Sequence, residues 1–173
     1  MTGRAVPDEG RDSNHRLARK GMPDGALDAM DRRIIKLLQQ DGRLSNTVIA
    51  RELNVTETTI RKRINQLLDD GFMNIVAVPT PAAVGMNLSA IIGVSVDLKA
   101  LHAVGEAIRA YPQVRYVGMS AGRYDLMVEA FFTSQDKLLD FVTDELGALN
   151  GIQDIETSVI LKVLKFSYEW EID

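Results

Sequence analysis

Apolar residues recur at intervals of three and four in three consecutive stretches near the start of the sequence, which is the spacing of amphipathic helices. Each stretch follows a residue that caps helix amino termini well, and each ends at a polar or glycine-containing break. The capping residues are Asp28, Ser45 and Thr56, and the breaks are Asp41-Gly42, Asn54-Val55 and Asp69-Asp70-Gly71. Three short helices with a very short turn before the third predict a helix-turn-helix.

The apolar pattern changes after the third helix. Residues 72–78 are rich in branched side chains and predict a small hairpin or wing, and the following Pro79-Thr80-Pro81 indicates a linker. From Leu88 onward apolar residues alternate with the period of a β-strand. Strands are predicted at 88–96, 114–119, 125–132 and 155–166, and helices at 98–108 and 135–149. This order predicts an α+β domain of the ferredoxin-like βαββαβ type.

These patterns divide the chain into four segments. The first has few large apolar side chains and much charge, so it cannot offset the entropy of ordering by burial, and we expect a flexible tail. The segments are the tail at 1–25, a helix-turn-helix domain (winged if the hairpin forms) at 26–78, a linker at 79–87 and the ferredoxin-like domain at 88–173.

The predicted sheet has apolar residues on both of its faces. Two helices cover one face of a four-stranded sheet, so the other face needs a second cover. The apolar residues on that other face are Met127, Phe131, Ile160, Leu164 and Phe166. A strand that is apolar on both faces is buried on both. We therefore expect a homodimer in which this face of one copy packs on the same face of another.

Composition narrows the function classes. The chain has 173 residues, of which 46% are apolar and 25% charged, as in ordinary globular proteins. No run of apolar residues approaches the roughly 18 to 20 that a membrane span needs, and residues 1–25 lack the apolar core of a signal peptide, so we expect a cytoplasmic protein with no membrane partner. The absence of cysteine and the presence of only two histidines argue against disulfides and metal sites, and no cofactor is expected.

Charge is distributed unevenly along the chain. Residues 1–75 carry 13 Lys and Arg against 11 Asp and Glu, whereas residues 76–173 carry 7 against 13. The net charge of −4 therefore conceals a first half with a slight excess of positive charge. The overall negative charge argues against a protein that coats double-stranded DNA or other nucleic acid without specificity, but the two halves differ in charge.

The third predicted helix carries polar residues opposite its apolar stripe. Thr58, Lys62 and Asn65 face directly away from the stripe and suit base edges, while Arg61 and Arg63 flank it and suit phosphates. A solvated helix surface is the alternative, and the helix's position after a short turn favours DNA contact. The predicted DNA-binding residues are Ser45, Asn46, Thr56, Glu57, Thr58, Thr59, Arg61, Lys62, Arg63 and Asn65.

A loop in the second domain combines glycine, a hydroxyl and a carboxylate. It runs from Ser120 to Tyr124 between two predicted strands, and Gly122 permits close backbone approach or a positive φ. Asp125 follows where the next strand begins. Backbone N–H groups beside a carboxylate suit a zwitterionic ligand, with the carboxylate taking the ammonium. The alternative is a plain hairpin turn that Asp125 caps.

Five segments, in unbroken order from about Leu27 to Lys165, carry a family resemblance. They are residues 27–35 as the opening helix, 41–45 as the approach to the second helix, 55–64 as the recognition helix, Pro112 through Asp125 with its Gly-x-x-Asp loop, and Asn150-Gly151-Ile152 with Thr157 as the turn into the closing strand. Together they resemble the Lrp/AsnC family, the feast/famine transcriptional regulators. Asn150 stands where members often have proline, and Arg123 where an acidic or amide residue is frequent.

The resemblance implies an amino-acid effector site between subunits at this loop, in an assembly above the dimer such as an octamer. The implied effector-binding residues are Met119, Ser120, Ala121, Gly122, Arg123, Tyr124, Asp125, Thr157 and Ser158. Arg123 either pairs with Asp125 and occupies the site, or binds the carboxylate of the effector.

The leading interpretation is therefore a sequence-specific DNA-binding transcriptional regulator that responds to an amino acid or a related small metabolite, and that is not an enzyme. One alternative is a ligand-binding assembly protein whose helix-turn-helix no longer binds DNA. Another is an enzyme that decarboxylates haem precursors, a class with the same two-domain build. That chemistry would call for histidines in the second domain, where His102 stands alone.

Overall fold

The computed structural model describes residues 27–165, 167 and 170–172. The predicted tail at 1–25 and Phe166 lie outside the described residues. The chain forms two compact units: residues 27–77 together with 167 and 170–172, and residues 78–165. The carboxy-terminal residues thus belong with the first unit, whereas the sequence assigned them to the second domain.

The first unit contains three helices, and their bounds agree with the predicted caps and breaks. They are α1 at Ala29–Gln40, α2 at Asn46–Leu53 and α3 at Glu57–Asp69. Asp28, Ser45 and Thr56 each accept a backbone N–H of the following turn with a side-chain oxygen, which satisfies a donor that the helix itself leaves free. The predicted helix-turn-helix is therefore confirmed.

One buried side chain from each helix meets in the core of this unit. Ile34, Ile49 and Ile60 are fully buried. Ile172 from the carboxy-terminal end packs against the same core. The side-chain amide of Gln39 faces the backbone of Trp170; in the orientation that satisfies both groups, its oxygen accepts from the N–H at 3.0 Å and its nitrogen donates to the carbonyl at 3.3 Å. An apolar contact and a paired amide thus hold this end of the chain on the first unit.

Residues 72–78 contain no strand, so the predicted hairpin or wing is absent. Phe72 and Met73 pack against the helical core instead. Two prolines follow closely, and a 3₁₀ turn occupies Pro81–Val84. Proline lacks the N–H that a strand ladder requires, so the segment has too little room for a hairpin.

The second unit has the order strand, helix, strand, strand, helix, strand. Its elements are β1 at Leu88–Val96, α4 at Leu101–Arg109, β2 at Val114–Met119, β3 at Leu126–Phe132, α5 at Gln135–Asp140 with a π-helical continuation at Phe141–Leu146, and β4 at Ile152–Ile160. The strands pair antiparallel in the order β2-β3-β1-β4. This is the predicted ferredoxin-like arrangement.

Both helices cover the same face of this sheet. The inner residues of β1 and β3, such as Ile92 and Val128, form one core with Ile108 of α4 and with Phe141 in the π-helical continuation of α5. The opposite face, called the outer sheet face below, carries the alternate residues of the strands. On β1, β3 and β4 its members include Ser89, Ile91 and Gly93 of β1, Met127, Glu129 and Phe131 of β3, and Glu156, Ser158 and Ile160 of β4.

The last strand is shifted from its predicted position at 155–166. It begins at Ile152, and it ends at Ile160, which pairs with Ser89 at the start of β1. A strand ends where its neighbour offers no further backbone partner, and β1 begins at Leu88. Leu164 therefore lies outside the sheet, 88% exposed, and does not belong to the outer sheet face as the sequence predicted.

Candidate functional site

The buried stripe of α3 decides which of its side chains face solvent. Ile64 and Leu67 lie in the helical core with Ile60. Thr58, Arg61, Lys62 and Asn65 are among the exposed polar side chains outside this stripe. Within the part of the chain that the structure describes, none of these four has a hydrogen bond or an ion pair. Helix α3 thus presents two cations, a hydroxyl and an amide that the fold itself does not use.

The polar residues at the start of α3 serve the fold instead. Thr56 Oγ1 accepts a hydrogen bond from the N–H of Thr59 at 3.2 Å and lies 2.8 Å from the Thr59 hydroxyl. The carboxylate of Glu57 accepts from the Thr47 hydroxyl of α2 at 3.1 Å. These three predicted DNA-binding residues therefore fix the geometry of the turn between α2 and α3.

Ser45 and Asn46 stand at the start of α2. Ser45 Oγ accepts from the N–H of Val48 at 3.3 Å, so this hydroxyl acts as the helix cap. Asn46 is half-buried in the first turn. Free backbone N–H groups at a helix amino terminus attract phosphate. The phosphate contact of Ser45 and Asn46 remains a prediction, and it would be made by these backbone groups.

Arg63 points toward α1. Its Nη1 donates to Asp28 Oδ2 at 2.6 Å and to Asp31 Oδ1 at 2.8 Å. These two carboxylates raise the pKa of Arg63, with Asp31 the larger contributor. The structure therefore places Arg63 in an ion-pair network within the domain, in contrast to the phosphate contact that the sequence predicted for it.

The loop between β2 and β3 is closed by backbone hydrogen bonds that centre on Asp125. The N–H of Ser120 donates to the carbonyl of Asp125 at 2.9 Å, and the N–H of Asp125 donates to the carbonyl of Val94 at 3.0 Å. Asp125 Oδ2 accepts from the N–H of Val96 at 2.9 Å. The β1–β4 register shifts between Ser95 and Val96, so this carboxylate satisfies a donor where the ladder is irregular.

Within this chain, Gly122 shows neither the positive φ nor the close backbone approach that the sequence suggested. Its φ is not among the positive values of the described residues, and a Cβ at this position would have no atom within 4 Å. The neighbouring loop residue Ala121 is exposed, as is Met119 at the end of β2. The loop thus presents a small, open backbone surface to whatever lies outside the chain.

Arg123 pairs with Glu156 of β4. The distance from Arg123 Nη2 to Glu156 Oε2 is 2.9 Å. The guanidinium also lies 5.1 Å from the centre of the Tyr124 ring, within the range of a cation–π contact. The sequence left Arg123 with two possible partners, Asp125 or an effector carboxylate, and in this structure its partner is Glu156.

Tyr124 crosses the outer sheet face to the same carboxylate. Its hydroxyl donates to Glu156 Oε2, and this hydrogen bond is the main cause of the raised pKa of Tyr124. The ring lies directly on Gly93 of β1, where a Cβ would clash with it. Gly93 pairs with Glu156 in the β1–β4 ladder. Because Gly93 has no side chain, the Tyr124 ring can lie over β1 and reach Glu156 on β4.

Thr157 and Ser158 lie on opposite faces of β4. Ser158 is exposed on the outer sheet face, two residues from Glu156. Thr157 pairs with Ile92 and points to the helix side, where its Oγ1 is buried without a hydrogen bond in the described part of the chain. The structure therefore brings Ser158, but not Thr157, to the face that carries Arg123 and Tyr124.

Glu156 is the functional candidate that the sequence analysis missed. It belongs to β4, which was predicted in part only, and its partners lie 32 positions or more away in the chain. A local signal existed in the glycine at position 93, because glycine inside a strand often marks a close approach by another group.

Among residues 27–165, 167 and 170–172 no group of three or more His, Asp and Glu side chains could hold a metal ion, and His102 is exposed on α4. No helix in that part of the chain is long and apolar enough to cross a membrane.

Family models match both units. Residues 27–68 match the AsnC-type helix-turn-helix domain, and residues 89–170 match the Lrp/AsnC ligand binding domain. The chain belongs to the Lrp/AsnC family of transcriptional regulators. It is thus a member of a DNA-binding regulator family that pairs a helix-turn-helix with a domain for a small-molecule effector.

Related proteins agree with this assignment. An HTH-type transcriptional regulator of Pyrococcus horikoshii is 32% identical over 143 residues, which cover 82% of this chain and 90% of that protein. The HTH-type transcriptional regulator FL11 of Pyrococcus furiosus is 32% identical over 146 residues, which cover 84% of this chain and 96% of FL11.

Solved structures of the Lrp/AsnC type superpose on this chain. A transcriptional regulator of Neisseria meningitidis in complex with L-Met has a TM-score of 0.78 and 30% identity, and the match covers 84% of this chain and 97% of that one. E. coli AsnC has a TM-score of 0.77 at 19% identity, covering 82% of this chain and 97% of AsnC, which supports the fold alone.

Proposed function

We propose that this Lrp/AsnC regulator reads specific sites in double-stranded DNA with the exposed side of α3. The observation that carries the proposal is that Thr58, Arg61, Lys62 and Asn65 are exposed and unused by the described part of the fold. Threonine, lysine and asparagine suit base edges in the major groove, and arginine suits phosphates. The caps at Thr56 and Ser45 hold the two helices in place behind them.

A DNA-binding assay with selected genomic fragments tests this proposal. In fluorescence anisotropy at fixed salt, a Thr58→Ala/Lys62→Ala double variant is expected to lose preference for the selected site, at about 1 to 3 kcal/mol per lost base contact. Arg61→Ala is expected to weaken binding to all DNA alike and to reduce the salt slope by about one. Lys99→Ala, an exposed lysine of the second unit, is the control. Unchanged site preference in the double variant would show that α3 does not read the site.

The effector in this proposal is a free amino acid bound at the loop from Met119 to Asp125. Support comes from the Neisseria regulator, which is 30% identical and was solved with L-Met. A thermal-shift screen of the twenty free amino acids tests it, because a ligand at 100 times its Kd adds about 2.7 kcal/mol to the folded state. A chain that none of the twenty stabilises would contradict the proposal.

Gly122 offers a second test of the same loop. A side chain there would have no atom within 4 Å, so Gly122→Val is expected to leave the ligand-free melting temperature unchanged. If the amino acid approaches this backbone closely, the same variant loses amino-acid binding. Loss of binding with unchanged stability would support a site at this loop, and unchanged binding would move the site elsewhere.

The proposal includes a homodimer that buries the apolar end of the outer sheet face, assembles further to a species such as an octamer, and acts in the cytoplasm. Apolar residues support this part: Phe131 and Ile160 flank Ser89, one on each neighbouring strand, on a face that the helices do not cover. A large uncovered apolar surface is a common mark of an interface, and a second copy supplies a matching one. Analytical ultracentrifugation measures the size of the assembly with and without the amino acid.

A further inference from the structure

We infer that Glu156 and Arg123 together bind the ammonium and the carboxylate of the amino acid, which makes Glu156 a specificity-determining residue of the ligand site. The inference rests on the proposed amino-acid effector. It goes beyond that proposal because it assigns the ammonium to a residue of β4 rather than to Asp125 of the loop.

The Arg123–Glu156 ion pair leaves polar atoms of both side chains available to a ligand. Arg123 and the Tyr124 hydroxyl both contact Oε2 of Glu156, and Oε1 has no partner among the described residues. Arg123 uses Nη2 in the pair, so Nη1 and Nε keep their donors, and its side chain is 75% exposed against 48% for Glu156. A free carboxylate oxygen beside free guanidinium N–H groups matches the two adjacent opposite charges of a zwitterion.

The pair is held in position before any ligand arrives. The Tyr124 ring lies against Gly93, its hydroxyl donates to Glu156, and the Arg123 guanidinium lies 5.1 Å from the centre of the ring. Side chains that other contacts already fix lose less entropy when a ligand binds. An isolated pair of exposed charges lacks such support and contributes little, so the tyrosine distinguishes this cluster from an ordinary surface ion pair.

Asp125 is already engaged by the fold. Its Oδ2 accepts from the N–H of Val96 at 2.9 Å, and its backbone N–H bonds to Val94. A ligand ammonium that drew this oxygen away would leave the Val96 donor without its partner. Glu156 Oε1 can accept the ammonium with no such loss.

The cluster also lies apart from Phe131 and Ile160, the apolar end of the outer sheet face that the proposed dimer buries. Gly93 and Glu156 pair at one position of the ladder, and Ser89 and Ile160 pair four residues further along β1. At about 3.3 Å per residue this separates the charges from the apolar end of the outer sheet face by roughly 13 Å. The apolar end can thus pack on a second copy while the charged end stays open beside it.

The test uses isothermal titration calorimetry on the full chain with three probes. L-methionine carries both charges, 4-(methylthio)butanoate lacks the ammonium, and L-methioninamide lacks the carboxylate. Glu156→Gln keeps the size of the side chain and an acceptor for Tyr124 but removes the charge. We expect it to raise the Kd for L-methionine by roughly tenfold or more and to leave the Kd for 4-(methylthio)butanoate within about twofold.

Two further variants separate binding from structure. Arg123→Gln is expected to raise the Kd for both carboxylate-bearing probes by roughly tenfold and to change that for L-methioninamide less. Asp140→Asn, which breaks the ion pair of Lys137 with Asp140 at 2.8 Å on α5, is the matched control and is expected to change none of the three.

The outcomes distinguish this inference from the proposed function. If wild type binds L-methionine and Glu156→Gln binds it equally well, or loses both carboxylate probes alike, the inference is wrong and the effector proposal stands. If Asp125→Asn alone lowers affinity for L-methionine selectively over 4-(methylthio)butanoate, the ammonium belongs to Asp125. A wild-type chain that binds neither L-methionine nor any other free amino acid overturns both.

Discussion

Arg63 Nη1 lies 2.8 Å from Asp31 Oδ1, which ties helix α3 to the first turn of α1. The side chains are 31% and 18% exposed, so the pair is mostly shielded from solvent. The same nitrogen reaches Asp28, the residue that caps α1. One guanidinium therefore links α3 to Asp28 and Asp31, the two residues whose side chains cap the amino terminus of α1.

Arginines 61 and 63 are predicted to differ in their effects on stability. Arg63→Ala removes the partner of two carboxylates and is expected to lower the free energy of unfolding of the first unit by about 1 kcal/mol or more. Arg61→Ala, which has no partner in the described part of the chain, is expected to change it by less than about 0.5 kcal/mol. Urea denaturation with a helix signal checks both. Equal stability of the two variants would show that the Arg63 network adds nothing to the fold.

Acid is predicted to weaken the first unit through Asp28. The pKa of Asp28 is lowered, first by the backbone N–H of Asp31 and then by Arg63. A carboxyl whose pKa is lower in the folded state stabilises the fold above its unfolded pKa near 4, and this contribution is lost as the pH falls through the folded value. Wild type is therefore expected to lose more stability than Asp28→Asn between about pH 5 and about pH 2. Asp154→Asn, an exposed aspartate of β4, serves as the control, and an identical loss in all three proteins would exclude the mechanism.

Gly93 and Tyr124 are predicted to be coupled. Gly93→Ala places a methyl group in the tyrosine ring, and overpacking of this kind typically costs about 1 to 3 kcal/mol. The cost is expected to fall when Tyr124→Ala is present as well, because the space is then free. A double-mutant cycle measured by thermal unfolding checks this coupling. Additive effects would show that the ring can leave Gly93 at no cost.

Ile160 is predicted to lie in the dimer interface. It is 37% exposed on the outer sheet face, and Ile160→Asp is expected to dissociate the dimer, because a buried unpaired charge is strongly unfavourable. Leu98→Asp makes the same chemical change at a leucine that is 75% exposed, and it is the control. Sedimentation velocity measures both variants. An Ile160→Asp protein of native size would mean that another surface holds the copies together.

The helices of the first unit could be predicted almost residue by residue. A capping residue bonds to the next turn of its own helix, and the helix breaks act at the same short range. The helix starts at Ser45 and Thr56 can therefore be predicted from the local sequence. The alternation of β1 is equally local, and its predicted and observed bounds both run from Leu88 to Val96. The family resemblance also followed from local segments in order.

Tertiary structure decided the features that depend on a distant partner. Strand β4 ends at Ile160 because β1 begins opposite that point, and no pattern within β4 itself marks this position. Arg63 finds Asp31, and Tyr124 finds Glu156, each 32 positions away in the chain. A periodic pattern shows which side of an element a residue occupies, but the choice of ionic partner depends on which elements pack together. The outward side of α3 was therefore predictable from the sequence, whereas the pairing of Arg63 with Asp31 and of Arg123 with Glu156 depends on how distant elements pack.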